Sequence, residues 1–147
     1  MAPVGRRADR GSESGQALIE LAFALPLLLV IVMGIFDFGL MFQRFEVVTN
    51  AAREGARVGV LPNYSTADAQ ARAQQYLTSG GLTSSATITA NVSPVSFGAP
   101  SKTVNQITVT VQYVHNYVFI GPILNLFGGS LGTVTLQGTS TMRVEGN

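Results

Sequence analysis

The chain has 147 residues, 12% of them charged, a formal net charge of +1 and a mean hydropathy of +0.31, so it leans towards a membrane and away from nucleic acid. Cysteine is absent, which excludes disulfides, thiol catalysis and cysteine-ligated metals. The length suffices for one domain plus an anchor.

Residues 1–15 are polar and read as a basic leader, with Arg6, Arg7 and Arg10 against Asp9 and Glu13. From Ala17 to Phe42 the chain is apolar except for Glu20 and Asp37. A span of a ~30 Å hydrocarbon core needs about 20 helical residues, so this run predicts a transmembrane helix over 16–43. The arginines before it put the N-terminus in the cytoplasm and the rest outside. The run is too long for a signal-peptide core, and no small-x-small cleavage site follows, so a retained anchor is the reading. Pro26 removes one helix hydrogen bond and predicts a kink or a loosened turn. Gly34 and Gly39 permit close helix approach. Asp37 is read as solvated at the outer boundary or as a polar contact to a neighbouring helix.

The helical pattern continues past the span. Phe45, Val48, Ala52, Ala56 and Gly59 recur at three- and four-residue spacing, and Ala51, Ala52, Gly55, Ala56 and Gly59 form a stripe of small side chains. The expectation is one helix of roughly 40 residues, ended by Leu61-Pro62-Asn63. Its extension over 44–60 opens an extracytoplasmic domain, 44–147. Ser65 or Thr66 caps a second helix, 66–79, which Ser79-Gly80-Gly81 stops. A sheet is expected over 84–146. Ala86, Ile88, Ala90 and Val92 alternate with polar residues, as do Ile107, Val109, Val111 and Tyr113, and then Val134 and Leu136 with Met142 and Val144. The fold class is therefore α+β: a long N-terminal helix, a short second helix and a small three- to four-stranded antiparallel sheet. Helical surface from 45–78 covers the sheet's apolar face. Gly138 predicts a bend or bulge in the last strand.

Val118 to Phe127 is apolar yet broken by Gly121 and Pro122. Either it folds over the sheet's core, or Phe119, Ile120, Ile123, Leu124 and Phe127 form an exposed patch against membrane or a partner subunit. No catalytic constellation is visible. The single histidine, His115, stands near a strand end and reads as structural; one histidine with scattered carboxylates makes no metal site. No nucleophile elbow, phosphate loop or paired carboxylate occurs. The chain is thus read as a non-enzyme without cofactor, metal or small-molecule substrate.

Glu20 is an acid at the edge of a membrane span, which is costly unless it is used; the plain alternative is snorkelling to the headgroups. Cleavage after Gly15 would expose an α-amine on Gln16, four residues before Glu20. In an assembled row, Glu20 would pair with the ammonium of a neighbouring subunit, a directional contact that rejects misregister.

Gly15 before a cut, Glu20 at the fifth position of the mature chain and the apolar helix after it resemble type IV prepilins and pseudopilins. The longer run Gly15-Gln-Ala-Leu-Ile-Glu-Leu-Ala-Phe-Ala-Leu-Pro-Leu-Leu-Leu, with Gly34-Ile-Phe-Asp-Phe-Gly39, resembles the TadE-like pseudopilins of tight-adherence (Flp) pilus systems. Ala51-Ala-Arg-Glu-Gly-Ala-Arg57 and Met142-Arg-Val-Glu145 are similar to that family's later segments. The specific part covers residues 15–59, under a third of the chain.

The resemblance implies a prepilin peptidase that cuts between Gly15 and Gln16 in the bacterial cytoplasmic membrane. It implies other pilin or pseudopilin subunits and an inner-membrane assembly platform as partners. Flp-type motifs often place Tyr or Phe after the glutamate, whereas Leu21 stands here. The major Flp pilin is short and nearly all helical, so an added outer domain implies a minor pseudopilin that supports pilus assembly, adhesion or secretion. The other reading is an uncleaved, membrane-anchored binding module with the sheet as platform.

Overall fold

A computed structural model describes residues 10–83, 86–98, 102–126 and 128–144, with side chains from Gly15 onward. The helix α1, Arg10–Gly59, is 50 residues long and so extends about 75 Å at 1.5 Å per residue. It stays helical through Pro26. Leu61 and Asn63 shape the turn that follows: the Leu61 N–H donates to the Val58 carbonyl, and Asn63 takes a left-handed φ of 66°. The second helix, α2, spans Thr66–Ser79. Ser65 caps it in a full capping box: its Oγ accepts from the Asp68 N–H while the Asp68 carboxylate accepts from the Ser65 N–H at 2.8 Å.

Three strands follow, β1 (Ala86–Phe97), β2 (Lys102–His115) and β3 (Val134–Arg143), with the short helix α3 (Ile120–Leu126) between the last two. The sheet is antiparallel in the order β1-β2-β3. Pro94 costs no ladder bond that matters because β1 is an edge strand. The expected α+β class, with a long helix, a short helix and a three-stranded sheet, is the observed architecture.

The core lies where the second half of α1 and α2 cover one face of the sheet. Val48, Ala51, Ala52 and Ala56 of α1 and Ala69, Ala73 and Leu77 of α2 pack on Ala90, Ile107, Val109 and Val111. The small residues let backbones meet. A Cβ on Gly55 would stand 2.8 Å from the Ala69 carbonyl oxygen, and one on Gly59 would strike Ile107. On the other face, Thr108 meets Thr141 at 2.9 Å and Thr110 meets Thr139 at 3.2 Å, a cross-strand row of hydroxyl contacts.

Along the periodic run of α1, Phe45 is exposed and full burial begins at Val48. Two expectations need correction. Gly138 makes no bulge, since β3 pairs one-to-one with β2 through it, opposite Val111. It is there because α1 lies against it: a Cβ would come within 2.8 Å of the Thr49 Cα. Finally, residues 118–126 do not fold over the sheet's core. They turn back as α3 along the apolar half of α1, with Phe119 against Phe36 at 6.1 Å between ring centroids.

Candidate functional site

The first candidate site is the start of α1. The helix runs through the Gly15–Gln16 bond. No atom lies within 4 Å of where a Gly15 Cβ would stand, so the backbone there is open. Glu20 is exposed and accepts a hydrogen bond from the Gln16 side-chain amide at 3.2 Å, one helical turn away. Contacts of this spacing contribute about 0.2–0.5 kcal/mol, so the carboxylate is not engaged by the fold. From Leu18 to Phe38 the large apolar side chains also point outward. Among the described residues, α1 is the one helix long and apolar enough to cross a membrane.

The second site is Asp37, which is fully buried. It is not solvated, which corrects that expectation; its polar contact is to the start of a helix of the same chain, α3. Its carboxylate accepts from three successive backbone N–H groups: Val118 at 2.8 Å, Phe119 at 3.0 and 3.1 Å, and Ile120 at 2.7 Å. These are the free donors at the start of α3. Pro122, in the first turn, has no N–H to leave unbonded. One side chain of α1 thus caps a helix 81 to 83 residues away.

Gly34 is packed by the same arrangement, for a Cβ there would lie 3.3 Å from the Ile120 Cδ1. Ile123 reaches the surface formed by Pro26, Leu27, Leu29, Val30 and Met33, bordering an apolar groove of about 350 Å³. Gly39 has no neighbour within 4 Å of its Cβ position. Pro26, Gly34 and Asp37 are therefore brought together by α3, while Gly39 remains apart. Leu124 is half-buried, and Phe127 lies outside the described residues.

His115 ends β2 beside this cluster and is fully buried. Its Nδ1 sits 2.8 Å from the Arg44 Nη1. Arginine only donates, so Nδ1 accepts and the ring proton belongs on Nε2. Burial holds the imidazole below its ordinary pKa, and the Arg44 charge pushes the same way. The residue joins the sheet to α1 through Arg44, and its buried Nε2 has no hydrogen-bond partner among the described residues.

Farther along, Glu54 accepts from Arg57 at 2.7 and 2.9 Å and from Arg72 of α2 at 2.7 and 3.0 Å. These bonds lower its carboxyl from 4.5 to about 2. The pairing with Arg57 follows from i,i+3 spacing, whereas Arg72 comes from another element and leaves no local trace in the sequence. The Asp37 cap did leave a trace: Pro122, four residues into the apolar run, marks a helix start, which needs an acceptor. Among the described residues no three His, Cys, Asp or Glu side chains gather as metal ligands.

Residues 15–57 match the family described as TadE-like protein. That stretch holds the Gly15–Glu20 segment, Asp37 and most of the small-residue stripe. The match associates the chain with tight-adherence pili, and with the exposed apolar helix it fits a single-pass membrane protein. No curated protein and no solved structure matches the chain.

Proposed function

We propose that this chain is a minor pseudopilin of a tight-adherence pilus or its secretion apparatus, cut by a prepilin peptidase between Gly15 and Gln16. The observation that carries the reading is the family match over 15–57, which spans the processing segment and the exposed apolar helix together. In this reading residues 1–15 are the leader, 16–43 cross the bacterial cytoplasmic membrane, and 44–147 form the extracytoplasmic domain. The N-terminus faces the cytoplasm. The partners are the peptidase, other pilin or pseudopilin subunits and an inner-membrane assembly platform.

Glu20 is the assembly contact. It is exposed and bonded only weakly to Gln16, so it is available to another subunit's α-ammonium at little cost. In low dielectric such a pair is specific to register. Mass spectrometry of the mature protein should find Gln16 at its N-terminus. An intact Gly15–Gln16 bond in assembled material would sink the processing step and favour the anchored binding module. Glu20→Gln should insert into membrane normally and lower piliation; full piliation would remove the pairing role.

A further inference from the structure

The position of α3 is unusual for a loop of an outer domain. It leaves the sheet at His115 and runs back along the apolar half of α1, from Asp37 to Pro26. Met33 and Val30, beside Ile123, lie four and seven residues before Asp37, about 6 and 10 Å along the axis at 1.5 Å per residue. With the outer hydrocarbon boundary at Asp37 and residues 38–43 among the headgroups, this is the depth of about 5–10 Å to which an interfacial amphipathic helix sinks.

Lipid tolerates such an element only if its backbone groups are satisfied internally. The start of α3 is bonded to Asp37. At its other end Gly128, with a left-handed φ of 75°, donates to the Asn125 carbonyl at 3.2 Å, and Gly129 donates to that of Leu124 at 2.8 Å. The segment carries no charge, and Asn125 is its one polar side chain. Its outward residues are large: Val118, Phe119 and Leu126, the last 83% exposed. Helix–helix contacts in membranes favour small residues that let backbones approach, whereas acyl chains accept bulky ones.

We propose that α3 is a re-entrant wedge in the outer leaflet, with acyl chains as its occupant and Asp37 as the pin that holds it against α1. This rests on the reading that α1 spans the membrane. The wedge fixes the depth and rotation of the outer domain relative to the bilayer, because α3 is tied to the span at one end and to β2 and β3 at both.

The lack of cysteine makes the test direct. Single variants Leu126→Cys, Leu28→Cys and Thr89→Cys of the full chain are spin-labelled in phosphatidylethanolamine–phosphatidylglycerol vesicles at low protein density. Collision with oxygen, which partitions into lipid, is compared with collision with a water-soluble nickel chelate. The Leu126 label should give the lipid-type ratio of Leu28, and Thr89 the aqueous ratio. A Leu126 label that reads like Thr89, or is shielded from both reagents by a second copy, overturns the wedge while Leu28 upholds the span. An aqueous Leu28 label overturns the span itself, and the wedge with it. Adding Asp37→Ala should shift the Leu126 ratio off the lipid value and leave Leu28 and Thr89 unchanged; an unmoved Leu126 ratio overturns the pin.

Discussion

Between Leu18 and Phe38, α1 turns large apolar side chains outward, with Phe23 80% and Leu27 65% exposed. Between Val48 and Gly59 the same helix buries Val48, Ala51, Ala52 and Ala56 completely. The greasier half is the exposed one, because its proposed neighbour is fluid hydrocarbon, which fits any shape. The other half meets a sheet and a helix whose backbones do not move aside. There size decides, and alanine and glycine are what fit.

Substitutions should separate the two halves, and unfolding of the full chain in detergent micelles, followed by circular dichroism, reads each effect. Gly138→Val should do most harm, above about 3 kcal/mol, since the atoms in its way are α1 backbone at Val48 and Thr49. Near-native stability would mean that α1 and β3 do not approach as described. Ile107→Val, in the core under Gly59, should cost about 1 kcal/mol.

The Glu54 cluster should contribute less, below about 1 kcal/mol, because both arginines are partly exposed. Folding lowers the Glu54 carboxyl, so the unfolded chain binds the proton more readily in acid. The contribution is whole above about pH 4.5 and is lost as the pH falls towards about 2. Glu54→Gln should flatten that limb of the stability curve, and an unchanged limb would deny the cluster its role. In the apolar half, Leu28→Ala should leave the outer fold within about 0.5 kcal/mol of the parent. A loss comparable to that of Ile107→Val would show that this half has a protein neighbour and erase the contrast.

The features that could be read from the sequence are those whose cause lies within a few residues. Ser65 with Asp68 starts α2, Gly80 and Gly81 end it, and alternation marks each strand. The small-residue stripe showed which side of α1 is covered. The role of Gly138 was mistaken because a strand glycine has two causes, a bulge or a close approach, and only the position of α1 chooses between them. Asp37 was singled out but its partner was not, and Arg72 was missed: both bond to other elements, and although Pro122 marks a helix start that needs an acceptor, spacing in the chain does not say which side chain supplies it. Of the candidate site, the Gly15–Glu20 segment depends on neighbours in the chain, while the α3 cap depends on a fold that brings residue 37 to residue 120.

Every strand in this sheet pairs only with its neighbour in the chain, and the two helices that cover the sheet precede it. Synthesis delivers the chain N-terminus first. Each element therefore meets a partner that is already present, and no strand waits for one still to come on both sides. Among the described strands Val134–Arg143 arrives last and lays Gly138 on Thr49. Until that strand arrives one side of β2 lies open; β3 closes it and leaves the sheet's outer edges on β1 and β3.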